Sequence, residues 1–351
     1  MKIKSLILIC FTIILSTLIF AFDYKDNAYS YSVSKSETVM EMNSGRVLYA
    51  VNENEKLPMA STTKVLTALT VIENFDLNKV VTVPRETVGV EGSSVYLRAG
   101  DKFTVSDLLY GLMLRSGNDC AETLAVTLTG SIKEFAVLMN ETARKYGAEN
   151  SSFVNPHGLN DENHYTTALD LCKIACASMK NEKFKEIVSS ATHTATELNE
   201  GKKILWLNKN KLLKSYKGAN GVKTGYTVRA GKCLVSSAER EGMQVVAVVL
   251  NSPDMFDRSK ELLDYAFDEY DLVKVVDKSK FDYEVISGVG KPFKLRIDEN
   301  FVYPVKKGEK INAEVNLPEN LALDVKSGVV IGDMKIYCEK RLIFSQKIYT
   351  L

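Results

Sequence analysis

Apolar residues recur with the period of a helix through the middle of the main domain and form strand-like runs near both of its ends. Val65, Leu66, Leu69 and Ile72 recur with a period near 3.6 residues, which predicts a helix over residues 61–75. The same pattern predicts helices over residues 105–115, 121–128, 132–146, 166–179 and 260–270. Apolar runs beside turn residues predict strands over residues 37–42, 46–51, 232–239 and 244–250. Because strands at both ends enclose the helices, we expect an α+β domain with one sheet packed by helices.

The pattern changes from about residue 273 onward. Residues 310–317 alternate apolar and polar side chains, which predicts a half-buried strand. The apolar runs on either side of the Gly332-Asp333 dipeptide predict a hairpin with its turn at that dipeptide. We therefore expect a small β-rich domain, residues 273–351, after a main domain that comprises residues 31–272.

The N-terminal segment has the pattern of an export signal. Lys2 and Lys4 precede an apolar run over residues 5–22, which Asp23 ends. We expect residues 1–30 to be a signal peptide, with an uncleaved membrane anchor as the alternative, since the run is barely long enough to cross a bilayer. The remainder is then exported to the outer face of the membrane and the cell wall, or secreted if the signal is cleaved.

Charge and composition exclude several functional classes. The chain has 45 Lys and Arg against 44 Asp and Glu, and the net charge of +1 provides no field for nucleic acid. No basic cluster with interleaved aromatic residues stands out, so we expect no nucleic-acid partner. Cys10 lies in the N-terminal segment and leaves an odd number of cysteines, and the histidines lack metal-ligand spacing. We therefore expect free thiols and no metal site.

Three short motifs occur in a fixed order along the main domain. Ser61-x-x-Lys64 opens the first long predicted helix, Ser116-Gly117-Asn118 follows another, and Lys223-Thr224-Gly225 precedes a predicted strand. Each motif alone is weak evidence, because a serine at a helix start is usually a cap and a Lys-Thr-Gly segment is usually a turn. All three together, in these positions, indicate a catalytic site.

The first motif has the elements of an activated nucleophile. A serine hydroxyl needs a nearby base, and Lys64 lies three residues after Ser61, on the same face of a helix. Burial and the second cation, Lys223, would lower the pKa of Lys64 enough for it to take the proton of Ser61. The backbone N–H of Ser61, with that of Tyr226 on a strand edge after Gly225, is expected to bind an oxyanion.

The other two motifs suit the remaining steps of an acyl transfer. We expect Ser116 to relay a proton towards the leaving amine and the Asn118 amide to hold a peptide carbonyl. Lys223 and Thr224 provide a cation and a hydroxyl that suit a terminal carboxylate. The residues therefore predict acyl transfer on a peptide or a lactam that carries a free carboxylate.

With these motifs the chain resembles the D-alanyl-D-alanine carboxypeptidases, which are low-molecular-mass penicillin-binding proteins of the S11 peptidase type. The resemblance covers about residues 37–267, with a weaker match through the tail. Besides the three motifs, it depends on residues 57–60, 92–94, 97–101, 153–159, 161–167 and 220–222.

The resemblance implies a penicillin-recognising serine transpeptidase or β-lactamase-like fold, with helices on both faces of an antiparallel sheet and a helical subdomain beside it. It implies removal of the terminal D-alanine from peptidoglycan pentapeptide stems through an acyl-Ser61 intermediate, during cell-wall synthesis or remodelling. β-Lactam antibiotics would acylate the same serine, and no cofactor is implied. By motif, the resemblance assigns catalytic roles to Ser61, Lys64 and Ser116, and substrate binding to Asn118, Lys223, Thr224, Gly225 and Tyr226.

Three departures from the family pattern stand out. Tyr226 occupies a position where many relatives have histidine. Arg258 lies near the place of a carboxylate-binding arginine of relatives, but its register is ambiguous, so it is not included in the predicted site. Residues 341–351 predict a strand where many relatives end in an amphipathic membrane helix, so membrane contact is expected only through the N-terminal segment.

Two other functions share part of this pattern. A serine β-lactamase has the same three motifs, but Ala195 stands where the commonest class has its deacylating glutamate. A non-catalytic module that binds cell-wall peptides or senses penicillin could use the same pocket. The complete set of motif residues favours the carboxypeptidase over both.

Overall fold

The computed structural model describes residues 34–286, 292–318 and 326–351. The predicted signal segment, residues 1–30, lies outside these ranges. Within them, no helix combines the length and the apolar character that crossing a membrane requires.

In the described residues, strands at both ends of the main domain enclose a mainly helical middle, and the C-terminal part is mainly strands. The strands are β1 (Ser36–Glu41), β2 (Val47–Val51), β3 (Val80–Thr82), β4 (Lys102–Thr104), β5 (Thr192–Glu197), β6 (Lys202–Leu207), β7 (Ala219–Thr227), β8 (Gly231–Arg240), β9 (Met243–Leu250), β10 (Tyr270–Val276), β11 (Glu284–Ile286), β12 (Pro292–Arg296), β13 (Phe301–Lys306), β14 (Ile311–Asn316), β15 (Val330–Cys338) and β16 (Arg341–Thr350). The helices are α1 (Lys64–Asn74), α2 (Val105–Tyr110), α3 (Asn118–Thr129), α4 (Ile132–Lys145), α5 (Ala168–Met179), α6 (Glu182–Ser189), α7 (Leu212–Ser215) and α8 (Met255–Glu269).

The central sheet has the antiparallel strand order β2-β1-β9-β8-β7. Strands from both ends of the main domain meet at the β1–β9 pair, so the expectation of one sheet packed by helices is confirmed. Successive residues of β9 enter different cores: Val246 and Val248 face the helices that include α5, whereas Val245 and Val249 pack against α8. A strand that is buried on both faces fits its continuous apolar sequence.

The helical region is built from capped, apolar-faced helices around α1. Thr104, Ser131, Thr167 and Asn181 each accept a hydrogen bond from a backbone N–H in the first turn of the following helix. Two predicted helices begin or end irregularly. A 3₁₀ turn, Ala60–Thr63, precedes α1, and a π-helical turn, Gly111–Arg115, follows α2. The first of these turns contains Ser61, and the second ends directly before Ser116.

The C-terminal part is a β-rich domain with the strand order β11-β12-β16-β15-β14. The hairpin predicted at Gly332-Asp333 is wrong, because both residues lie inside β15, beside an irregularity in its pairing with β16. A Cβ atom on Gly332 would lie 2.1 Å from the carbonyl oxygen of Asn316. The glycine is therefore required by the close approach of β14, and the turn comes after Cys338 instead.

Candidate active site

The three motifs converge where the edge of the central sheet meets the helical region. Ser61 lies in the 3₁₀ turn, Lys64 begins α1, and Asn118 begins α3. Lys223 lies on β7, the edge strand. A Cβ atom on Gly225 would lie 3.0 Å from the backbone nitrogen of Ser61, so β7 packs directly against the turn that carries the serine.

The turn that carries Ser61 is strained and braced from two sides. Ala60 has φ of 50°, in the left-handed region that a residue with a side chain rarely adopts. The Thr63 hydroxyl donates to the Ala60 carbonyl at 2.9 Å, and a Cβ atom on Gly158 would lie 1.9 Å from that same oxygen. His164 Nε2 lies 2.8 Å from the Thr63 hydroxyl. The loop before α5 therefore fixes the turn that carries Ser61.

Lys64 is fully buried and its side-chain nitrogen meets three oxygen atoms. Nζ lies 2.7 Å from Asn118 Oδ1, 2.7 Å from the His157 carbonyl oxygen and 3.1 Å from Ser61 Oγ. The Asn118 amide nitrogen donates to the Glu91 carbonyl, which fixes Oδ1 towards Lys64. Burial, and then the charge of Lys223, lower the pKa of Lys64 well below its usual value.

These contacts determine how a neutral Lys64 is oriented. An amine has two hydrogens and one lone pair, and both 2.7 Å partners are oxygens that can only accept. The two hydrogens are therefore used by Asn118 and His157, and the lone pair faces the Ser61 hydroxyl. This geometry allows Lys64 to accept the proton of Ser61.

Lys223 is the second buried lysine of the site. Its ammonium donates to the Thr224 carbonyl at 2.8 Å, and burial followed by the charge of Lys209 lowers its pKa to about 7. Lys209 also acts on Lys64, and its own pKa is lowered by burial and by Arg115. Lys209 was not predicted from the sequence, because no motif or spacing links it to the other two lysines. Together they give the site a positive potential that suits a carboxylate.

The remaining predicted residues surround this centre. Ser116 is buried with φ of 64°, another left-handed residue with a side chain. Thr224 is partly exposed, Gly225 is buried, and the Tyr226 side chain is 64% exposed. Both polar atoms of the Asn118 side chain are engaged by Lys64 and Glu91.

Asp119, next to the second motif, is a supporting residue that sequence reasoning also missed. Its buried carboxylate accepts from the Ser94 hydroxyl and from the backbone N–H groups of Val95 and Leu97. It thereby fixes residues 94–97 against the start of α3.

Arg258 lies outside the site. Its buried guanidinium pairs with Glu37 at 2.8 Å and with Glu261 at 2.8 Å, so it joins α8 to β1. Among the described residues, no group of three or more His, Cys, Asp or Glu could hold a metal ion.

Comparisons with known proteins give matches over most of the chain. Residues 26–254 match the D-alanyl-D-alanine carboxypeptidase family, and residues 270–351 match the C-terminal domain of penicillin-binding protein 5. The chain is 33% identical to the D-alanyl-D-alanine carboxypeptidase DacF of Bacillus subtilis over 314 residues, which are 86% of this chain and 80% of DacF. It is 32% identical to DacC of Escherichia coli over 316 residues, which are 84% of this chain and 77% of DacC.

Solved structures give the same result. Penicillin-binding protein 5 of Haemophilus influenzae superposes with a TM-score of 0.76 at 27% identity, covering 92% of this chain and 97% of that one. The Streptomyces K15 DD-transpeptidase superposes with a TM-score of 0.64 at 34% identity, covering 68% of this chain and 98% of that one. These matches confirm the expected fold, its C-terminal β domain and the serine hydrolase class. The chain therefore belongs to the D-alanyl-D-alanine carboxypeptidase family.

Proposed function

We propose that Ser61 is the acylated nucleophile and Lys64 its base in the removal of the terminal D-alanine from peptidoglycan stem peptides. The observation that supports this most directly is the position of the Lys64 amine. It is buried, its pKa is lowered, and it lies 3.1 Å from Ser61 Oγ with its two hydrogens directed elsewhere. A lysine in this state is a base and not a solvent-facing cation.

We infer the following acylation step from these contacts. The Ser61 oxygen attacks the carbonyl carbon between the two D-alanines, while its proton passes to the Lys64 amine. The carbonyl oxygen becomes an oxyanion that the backbone N–H groups of Ser61 and Tyr226 stabilise. The carbon–nitrogen bond breaks, and the proton held by Lys64 reaches the departing amine by way of Ser116. Free D-alanine leaves, and the rest of the stem remains as an ester on Ser61.

Deacylation uses the same groups in the opposite direction. Lys64 takes a proton from a water molecule that attacks the ester carbonyl, and the proton returns to the Ser61 oxygen as the ester bond breaks. Lys223 and the Thr224 hydroxyl hold the terminal carboxylate of the substrate, in the positive field to which Lys209 contributes. A β-lactam with a free carboxylate would acylate Ser61 through the same contacts.

We also infer that the protein acts outside the cytoplasm, on the cell wall, with effects on wall biogenesis and cell shape. The pattern of residues 1–30 supports export, and a peptidoglycan substrate requires it. Membrane contact would come only through that segment. Fusing residues 1–30 to a reporter enzyme that is active only after export would test this, and a reporter that stays inactive would contradict it.

The test of the enzyme activity is D-alanine release from an acyl-Lys-D-Ala-D-Ala peptide. Ser61→Ala should reduce release by at least about 1,000-fold, because the nucleophile is lost. Pretreatment with penicillin should do the same. Ser215→Ala, which removes an exposed serine at the end of α7, is the matched control and should retain full activity.

Other outcomes would favour other functions. Stoichiometric penicillin labelling of Ser61 without any D-alanine release would indicate a sensor. Rapid turnover of penicillin itself would indicate a β-lactamase.

A further inference from the structure

A glutamate and a histidine form a buried pair directly behind the Lys64 amine. His157 Nε2 lies 3.1 Å from Glu122 Oε1, and the two side chains are only 7% and 13% exposed. The backbone carbonyl of the same histidine accepts the 2.7 Å hydrogen bond from Lys64 Nζ. His157 therefore connects Glu122 to the amine that faces Ser61.

The hydrogen bonds of the His157 ring define its protonation state. Nδ1 accepts a hydrogen bond from the backbone N–H of Leu159 at 3.1 Å, so this nitrogen carries no proton. The proton of a neutral ring is then on Nε2, which donates it to Glu122. Burial lowers the pKa of His157 and favours this neutral form. The carboxylate thus fixes both the orientation of the ring and its tautomer.

Glu122 lies on the same helix, α3, as Asn118, which contacts Lys64 directly. Glu122 follows Asn118 by four residues, so the two side chains lie on the same face of the helix. Asn118 contacts Lys64 directly, and Glu122 holds the residue whose carbonyl oxygen is the second acceptor. One helix face therefore positions both oxygens that take up the hydrogens of the amine.

The loop that carries His157 also contacts the nucleophile. A Cβ atom on the next residue, Gly158, would lie 1.9 Å from the Ala60 carbonyl oxygen and 2.8 Å from Thr63 Oγ1. Fixing His157 thus fixes the surface against which the Ser61 turn packs. A displaced loop would move the acceptor of the Lys64 amine and the surface behind the Ser61 turn, and would therefore alter the distance between Ser61 and Lys64.

We propose that Glu122 is a positioning residue for the reaction, which holds His157 so that the Lys64 lone pair is directed at the Ser61 hydroxyl. Glu122 itself does not contact the reacting atoms. The inference rests on the proposed role of Lys64 as base. It adds a residue that lies outside the three motifs and that acts through a backbone carbonyl.

Three variants test the proposal in the full chain. Glu122→Ala removes the acceptor for His157 Nε2, Glu122→Gln keeps an acceptor oxygen without the charge, and Glu141→Ala removes an exposed glutamate from the neighbouring helix α4. The measurements are the second-order rate of acylation by a fluorescent penicillin and kcat/KM for D-alanine release, from about pH 5 to about pH 10. Thermal unfolding of each variant is recorded in parallel.

We expect Glu122→Ala to lower the acylation rate by about 10- to 100-fold, while Glu122→Gln and Glu141→Ala stay close to the native rate. Glu122→Ala should also move the acid limb of the rate profile to lower pH, because the Lys64 ammonium loses a hydrogen-bond acceptor that stabilises its charge. A variant that is merely less stable would not move this limb. Lys223, Asp119, Cys120 and Lys209, the other titratable groups that act on Lys64, are retained in all three variants.

Two results would overturn the proposal. The first is a native acylation rate and an unshifted acid limb in Glu122→Ala. The second is a Glu122→Gln variant as impaired as Glu122→Ala, which would show that the charge and not the hydrogen bond matters. Ser61→Ala in the same assays separates this inference from the proposed function: if Ser61→Ala still acylates, the function itself is wrong, whatever Glu122 does.

Discussion

At the scale of single residues, the site depends on lysines that lie close enough to repel one another. Burial is the main cause of the lowered pKa of both Lys64 and Lys223, and a neighbouring lysine is the second cause in each case. Charge on one lysine disfavours charge on the next, so the site can hold a neutral base beside a cation. Lys223, whose pKa is lowered to about 7, changes its charge within the usual range of assay conditions.

The lowered pKa of Lys223 predicts an alkaline limb in the rate profile. Lys223 is charged below about pH 7 and neutral above it, and only the charged form attracts a carboxylate. Hence kcat/KM should fall by about tenfold per pH unit above that value, mainly through KM. Lys223→Arg keeps its charge at all these pH values and should remove the limb. An identical limb in Lys223→Arg would assign it to another group.

The hydrogen bond between Ser61 and Lys64 was predictable from the sequence, but the other groups around the Lys64 amine were not. The spacing of Ser61 and Lys64 predicted a hydrogen bond, and the structure has it at 3.1 Å. The carbonyl of His157 and the charge of Lys209 reach the same amine from segments that are distant in the chain. Every residue has a backbone carbonyl, so composition and spacing hold no signal for such a contact.

At the scale of elements, the loop between α4 and α5 contacts both Lys64 and the turn that carries Ser61. Gly158 in this loop has φ of 90° and lies against the Ala60 carbonyl. Glycine is needed here for two reasons: the backbone has a positive φ, and the Ala60 carbonyl oxygen lies too close for a Cβ atom. Gly130, at the end of α3, has φ of 91° but nothing within 4 Å of a Cβ atom. A substitution at Gly130 therefore tests the backbone conformation without the close contact.

We predict that Gly158→Ala impairs catalysis, whereas Gly130→Ala does not. Both variants force alanine into the left-handed region, at a cost of about 1–2 kcal/mol. Gly158→Ala must also displace the turn that carries Ser61, so its acylation by penicillin should fall by about 100-fold. Urea unfolding and acylation rates measure the two effects. Equal acylation rates in the two variants would show that the contact with Ala60 does not position the nucleophile.

Predictions of elements succeeded where the apolar pattern was clear, and failed where tertiary packing decided. The apolar period of α1 and α4 and the continuous apolar run of β9 were sufficient to predict them. The Gly332-Asp333 dipeptide has the composition of a turn, yet packing against β14 places it within a strand. The short β5–β6 pair was missed, because its exposed residues alternate little in polarity.

At the scale of the whole molecule, one arginine links the central sheet to the C-terminal β-rich domain. Arg46, just before β2, donates to Glu309 at 2.8 Å and to the Pro304 carbonyl at 2.7 Å. Its guanidinium also lies 5.1 Å from the ring centres of Tyr270 and Tyr303. A planar cation held between two rings and a carboxylate is an arrangement that lysine could not reproduce.

The Arg46 contacts predict that the link stabilises the protein without contributing to catalysis. The Arg46 and Glu309 side chains are 14% and 21% exposed, between a surface pair and a buried one. Arg46→Ala should therefore lower the free energy of unfolding by about 2–3 kcal/mol, and should increase protease cleavage within residues 270–306. Acylation by penicillin should stay at the native rate.

Lys260→Ala is the matched control, because it removes an exposed pair with Asp257 on α8 and should cost less than about 1 kcal/mol.

The stabilisation by the Arg46–Glu309 pair also depends on pH. The hydrogen bond from Arg46 lowers the pKa of Glu309 below its usual value, so its contribution is complete at neutral pH and is lost as the carboxylate becomes protonated in acid. The stability difference between native protein and Arg46→Ala should thus shrink below about pH 4. A difference that stays constant well below that pH would mean that Arg46 stabilises the protein through its contacts with the two tyrosine rings and not through Glu309.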